Sequence, residues 1–143
     1  MKYFICAFGN NFLGIPAEQI QRVIPVVRVQ GSVFDTDDEE AFISIPALFR
    51  QKGAAFNRET PHGLVLKDSL RINNWPGKIV LLVPKIDIDL EIPEEKIQRL
   101  PEVFAGAFVF FSGVCFPEDS GKMILILDLE KLLANQKWKN KND

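Results

Sequence analysis

Ile79-Val80-Leu81-Leu82-Val83-Pro84-Lys85-Ile86-Asp87-Ile88-Asp89-Leu90, running on through Ile92-Pro93 to Phe104, is the stretch on which the fold turns. Its first five residues are all aliphatic, and beyond Pro84 the residues Ile86, Ile88, Leu90 and Ile92 alternate with Asp87, Asp89 and Glu91. Alternation with a period of two places the aliphatic groups on one face and the carboxylates on the other, which a helix cannot do. Ile79 to Leu90 therefore reads as one long strand, buried first on both faces and then on one. The three acids share one exposed face and read as a solvated strand surface. Acid–base or metal chemistry would need carboxylates converging from neighbouring elements.

Downstream, Pro93 to Pro101 is short and bracketed by prolines, which predicts no more than a helical turn. Ala107 to Phe116 reads as a buried strand, Pro117 to Gly121 as a hairpin connection and Met123 to Leu127 as the returning strand. A helix follows. Asp128 is placed to cap it, Glu130 complements its positive end, and Leu129, Leu132 and Leu133 fall on one face. Trp138 lies in a basic tail over 136–143 whose lysines are expected in solvent.

Upstream, Tyr3 to Phe8 is an apolar strand, Gly9-Asn10-Asn11 a turn that accepts positive φ, and Phe12 to Ile15 the second arm of a hairpin. A longer strand is expected over Ile20 to Gln30, with Val23, Val27 and Val29 on one face and Ile24 and Val26 on the other, between Arg22 and Arg28. An apolar pair framed by arginines is either a partner-binding patch or a strand covered by a neighbouring loop. Gly31 to Glu40 is expected to be a solvated loop; its acidic run, Asp35 to Glu40, lacks the central Gly and distant Glu of a calcium loop. Ala41 to Ile45 reads as a strand, Pro46 to Arg50 as a helical turn, His62 to Lys67 and Leu70 to Ile72 as strands, and Asn73 to Gly77 as a turn. His62 is the only histidine, so any nucleophile–histidine arrangement would have to pass through it. Its place at a strand start, after Pro61, points to structural use.

With 143 residues, 47% hydrophobic and 25% charged, the chain suits one globular domain or two small subdomains sharing a core. A net charge of -2 gives no general electrostatic case for nucleic acid. No apolar run approaches the roughly 20 residues of a membrane span, so membrane insertion is not expected and the cytoplasm is the expected address. Cys6 and Cys115 lie in apolar runs and read as buried free thiols. No catalytic residue, cofactor or metal is expected. An enzyme would have to use Asp87, Asp89 or His62.

The many short, closely spaced strands predict a mainly β, barrel-like architecture. Their order resembles the CheW-like domain of bacterial chemotaxis adaptors from about Tyr3 to Leu133. The opening strand and turn over Phe4 to Gly14, followed by the aliphatic strand Ile20-Gln21-Arg22-Val23, are similar to the family's opening. Ile43-Ser44-Ile45-Pro46-Ala47-Leu48 resembles its strand running into a helical turn, and Leu81-Leu82-Val83-Pro84-Lys85-Ile86 its central strand. Ile92 to Phe104 resembles the I-P-x-x-x-I-x-x-L-P continuation, and Gly121-Lys122 with Ile124 to Leu133 the closing G-K-x-I-x-I-L-D-L-x-x-L-L. The resemblance implies two SH3-like five-stranded β-barrel subdomains with a short C-terminal helix. The first would span about 12–66, and the second about 70–133 with the N-terminal strand 2–8. It also implies a non-enzymatic adaptor. Ile20, Arg22, Ile24, Val26 and Arg28 would meet the regulatory domain of a CheA-like histidine kinase, a chemoreceptor tip or another CheW-like protein. The chain departs from the pattern where Arg22 replaces a frequent Glu, where Pro84 replaces a frequent Asp, and where Asp35 to Glu40 occupies a shortened segment without the usual Arg-Gly pair. A β-barrel scaffold outside chemotaxis is the alternative reading.

Overall fold

The structure is a computed structural model that describes residues 1–25, 34–37, 40–48, 62–70, 77–99, 110–117 and 122–134. Its strands are β1 Lys2–Phe8, β2 Asn11–Pro16, β3 Ile20–Pro25, β4 Phe34–Asp37, β5 Glu40–Ser44, β6 His62–Leu66, β7 Lys78–Val83, β8 Ile86–Glu91, β9 Gln98–Arg99, β10 Phe111–Cys115 and β11 Ile124–Leu127. Helix α1 spans Ile45–Leu48 and helix α2 Leu129–Ala134, and 3-10 turns occupy Ala17–Gln19 and Glu94–Lys96. The strands form a six-stranded sheet in the order β8-β1-β2-β11-β10-β9 and a five-stranded sheet in the order β3-β6-β7-β5-β4. The protein is mainly β, as expected, with a short helix following its last strand.

The expected single strand Ile79 to Leu90 is corrected to two strands in two sheets. β7 lies between β5 and β6, whereas β8 pairs with β1. The break falls where the continuous aliphatic run gives way to period-two alternation, at Pro84, which has no N–H to give a ladder. The opening strand pairs with β8, where Tyr3 lies opposite Leu90 and Ile5 opposite Ile88. Ile79 to Val83 pairs with β5 and β6, and its buried side chains meet those of β10 and β11 in the main core. Phe12 to Pro16, expected with the first half of the chain, pairs with β1 and β11. The acidic stretch at Asp35 is also not a loop: Phe34–Asp37 pairs antiparallel with β5 as the edge of its sheet. Charged residues suit an edge because they discourage further pairing.

Both sheets contain the same five-strand pairing scheme. β3-β6-β7-β5-β4 and β9-β10-β11-β2-β1 each consist of antiparallel ladders except for one parallel pair at the same place, β5 with β7 and β2 with β11. β8 is the extra strand of the larger sheet.

The main core draws on both sheets and on α2, with Cys6, Leu13, Ile15, Ile43, Leu64, Leu81, Leu125 and Leu132 among its buried members. An edge-to-face contact between Phe8 and Phe111, centroids 6.0 Å apart, joins β1 to β10. A second cluster lies on the other face of the six-stranded sheet, with Tyr3, Ile5, Ile92, Cys115, Ile124 and Ile126 buried together. A third, Val65, Val80 and Leu82, lies on the other face of the five-stranded sheet.

Local signals account for the connections. The β1–β2 turn holds Gly9 at φ 60°, a conformation that costs glycine little. Asp128 caps α2 as expected: its Oδ1 accepts from the Lys131 amide at 3.1 Å, while Leu129, Leu132 and Leu133 are buried.

Candidate partner-binding site

β3 forms one end of the five-stranded sheet and pairs only with β6 among the described residues. Its ladder is bulged. Ile20 lies opposite Leu66 and Arg22 opposite Val65, so Gln21 is the extra residue, and the pairing resumes through Val23–Leu64 and Ile24–Gly63. The Lys78 ammonium holds this end of the strand, donating to Gln21 Oε1 at 2.9 Å and to Asp68 Oδ1 at 2.8 Å. Pro25, the last described residue of the strand, lies opposite His62.

The expected surface residues are thereby separated. Ile20 is only 7% exposed and belongs to the main core, so its side chain anchors the strand and presents nothing to a partner. Arg22 is exposed. Ile24, on the same face as Arg22, is half-buried against the cluster of Val65, Val80 and Leu82. Val23, on the opposite face, is 40% exposed. Val26 and Arg28 lie outside the described residues. What remains is a short edge with an arginine, a half-covered aliphatic group seated on a buried apolar cluster, and an open valine.

The groups singled out for chemistry lie apart from one another. His62 Nδ1 accepts from the Ile86 amide at 3.3 Å and so ties the start of β6 to the chain as it passes from β7 to β8. Asp87, Asp89 and Glu91 are exposed, with Asp89 paired to Lys2 at 3.3 Å and Glu91 to the N-terminal amine. Ile88, expected to be buried, is 54% exposed, because β8 is the outer strand of its sheet. Cys6 and Cys115 are free and buried. Burial, and secondarily the Asp87 carboxylate, pushes the Cys6 thiol up to about 12. Burial also raises the Cys115 thiol, against a smaller opposing effect of Lys96. Among the described residues no group of three or more His, Cys, Asp or Glu could hold a metal ion, and no helix is long and apolar enough to cross a membrane.

A second edge of the same kind was missed in the sequence. Ile15-Pro16-Ala17-Glu18-Gln19-Ile20-Gln21-Arg22 returns as Ile92-Pro93-Glu94-Glu95-Lys96-Ile97-Gln98-Arg99, with Ile, Pro, the second Glu, Ile, Gln and Arg unchanged. In both copies the proline precedes a 3-10 turn, and the chain then enters the end strand of its sheet, β3 or β9. The signal was a repeat spaced too far apart for a reading of local periodicity.

No known family's sequence profile matches the chain, and no curated protein matches it in sequence. Its fold is similar to that of the scaffolding protein CheW from Thermoanaerobacter tengcongensis, with a TM-score of 0.63 at 17% identity over 92% of this chain and 86% of that one. The protein has a CheW-like fold.

Proposed function

We propose that this chain is a non-enzymatic adaptor of bacterial chemotaxis, working in the cytoplasm and joining signalling proteins through the edge strand β3. The single observation that carries the reading is the CheW-like fold, found along nearly the whole chain. Each sheet is read as one SH3-like subdomain. The partners are the regulatory domain of a CheA-type histidine kinase, a chemoreceptor's cytoplasmic tip, or another CheW-like protein.

The chemistry of β3 supports this reading. Arg22 and Ile24 share a face, and Ile24 rests on side chains that are already buried, so a partner that covers it extends an existing apolar cluster. An apolar centre with a charged rim is the usual anatomy of a protein interface. The rim charge mainly sets partner choice and association rate, so arginine at position 22 favours an acidic partner surface.

The test is titration of wild type, Ile24→Ala and Arg22→Glu against those three partners from the same cell. Ile24→Ala is expected to weaken binding by about 1–3 kcal/mol. Arg22→Glu is expected to change partner preference and salt dependence. Wild type that binds none of the three would leave the chain as a β scaffold outside chemotaxis.

A further inference from the structure

We propose that His62 is a proton-sensitive latch on the passage between the two sheets: neutral, it holds the start of β8 to the start of β6, and protonated, it lets go. The argument does not depend on the function proposed for β3.

The passage is short. β7 ends at Val83 and β8 begins at Ile86, so Pro84 and Lys85 alone carry the chain from the five-stranded sheet to the six-stranded one. The ladders of β6 place His62 at this point, opposite Val83 of β7 on one side and Pro25 of β3 on the other. From there its Nδ1 accepts from the Ile86 amide at 3.3 Å. One hydrogen bond thus joins the first residue of a strand in one sheet to the first residue of a strand in the other.

That bond needs a bare ring nitrogen. In a neutral imidazole one nitrogen accepts while the other carries the proton, so Nδ1 as acceptor leaves the hydrogen on Nε2. An imidazolium donates from both nitrogens, and its Nδ1–H would confront the Ile86 N–H. A half-buried amide then loses its acceptor, which is costly. Histidine is the side chain that ordinarily changes charge between about pH 5 and 8, so the latch works in mild acid.

The surroundings supply no replacement acceptor. β3 brings Val23, Ile24 and Pro25 alongside, with Arg22 farther on, opposite Val65; β7 brings Val83; and the passage brings Lys85 and, beyond Ile86, Asp87. Cys6, opposite Ile86 on β1, is a buried thiol that stays neutral over this range. Among the described residues no carboxylate is paired with His62. Lys85 and Arg22 carry the same charge as the imidazolium. Asp87 carries the opposite one, but attracting the ring does not return an acceptor to the Ile86 amide.

The test is NMR of the full chain titrated from about pH 8 to about pH 5, following the ring nitrogens of His62 and amide exchange at Ile86. The neutral ring is expected as the Nε2–H tautomer. As it titrates, protection of the Ile86 amide, corrected for the intrinsic pH dependence of exchange, is expected to fall about tenfold with the same midpoint. Protection at Leu125, in the main core, is expected to hold. His62→Asn keeps a side-chain acceptor that does not titrate, and is expected to abolish the fall in acid. The proposal is overturned by an Nδ1–H tautomer, by Ile86 protection that ignores the titration of the ring, by an equal loss at Leu125, or by the same fall in His62→Asn. The first three of these are read on the wild-type chain, so they decide the matter even where the variant fails to fold.

Discussion

In the five-stranded sheet the central strand runs Lys78-Ile79-Val80-Leu81-Leu82-Val83 beside a strand ending Phe42-Ile43-Ser44, which passes into the helical Ile45-Pro46. In the six-stranded sheet the equivalent run is Lys122-Met123-Ile124-Leu125-Ile126-Leu127, beside Phe12-Leu13-Gly14-Ile15-Pro16. The parallel registers agree residue for residue: Val80 faces Phe42 and Leu81 faces Ile43, as Ile124 faces Phe12 and Leu125 faces Leu13. The two regions keep the aliphatic ladder and differ at its margins. Pro84 follows one central strand and sends the chain to the other sheet; Asp128 follows the other and caps a helix. Ser44 stands in one parallel pair, whereas Gly14 stands in the other because a Cβ there would lie 3.0 Å from both Ile124 Cγ2 and Ile126 Cδ1. The shared ladder makes the architecture, and the marginal residues decide what each copy does next.

The largest expected effect tests the equivalence itself. Leu81→Ala and Leu125→Ala remove matched, buried side chains and should each cost about 3 kcal/mol in urea denaturation. A loss below about 1 kcal/mol at one site only would break the match. The next effect is alkaline. Folding raises the Cys6 thiol from about 9 to about 12, so its contribution is complete below pH 9 and is lost as pH rises toward 12. About 2 kcal/mol should be gone by pH 10.5, and Cys6→Ala should flatten that part of the stability curve. Gly113→Ala should also cost about 2 kcal/mol, because its Cβ would lie 2.6 Å from the Gln98 carbonyl oxygen. Gly14→Ala should cost less, since only side-chain atoms must yield. Equal losses in thermal or urea unfolding would remove that distinction. The smallest effect belongs to the margin after β11: Asp128→Ala should cost about 1 kcal/mol, read as reduced stability with α2 fraying first in amide exchange.

Much of the strand content was legible because alternation and apolar runs reflect side-chain burial directly, as in Ile79 to Val83 and Ile124 to Leu127. The C-terminal helix was legible from Asp128 and three leucines, and the hairpin from Gly9 and Asn10. The passage between sheets was not, because alternation at Ile86, Ile88 and Leu90 looks the same whichever strand lies alongside. The edge strand at Phe34–Asp37 was hidden by its acids, which are typical of loops and of sheet edges alike. At the candidate site the face shared by Arg22 and Ile24 was readable. The bulge at Gln21 that leaves Ile20 in the core was not, since bulges follow from pairing that local sequence does not encode.

The passage at Pro84 and Lys85 also governs how the chain can be assembled. All strands of the five-stranded sheet lie between Ile20 and Val83, an uninterrupted length of chain. The six-stranded sheet is split by it: β1 and β2 come before, β8 to β11 after, and its parallel pair joins Phe12 to Ile124. Closing so long a loop in an unfolded chain costs about 4 kcal/mol in entropy. If Ile20 to Val83 has already collapsed, it acts as a compact spacer that brings Pro16 and Ile86 toward each other and lowers that cost. On the ribosome the inserted sheet can therefore form first, while β1 and β2 wait for β11 to emerge.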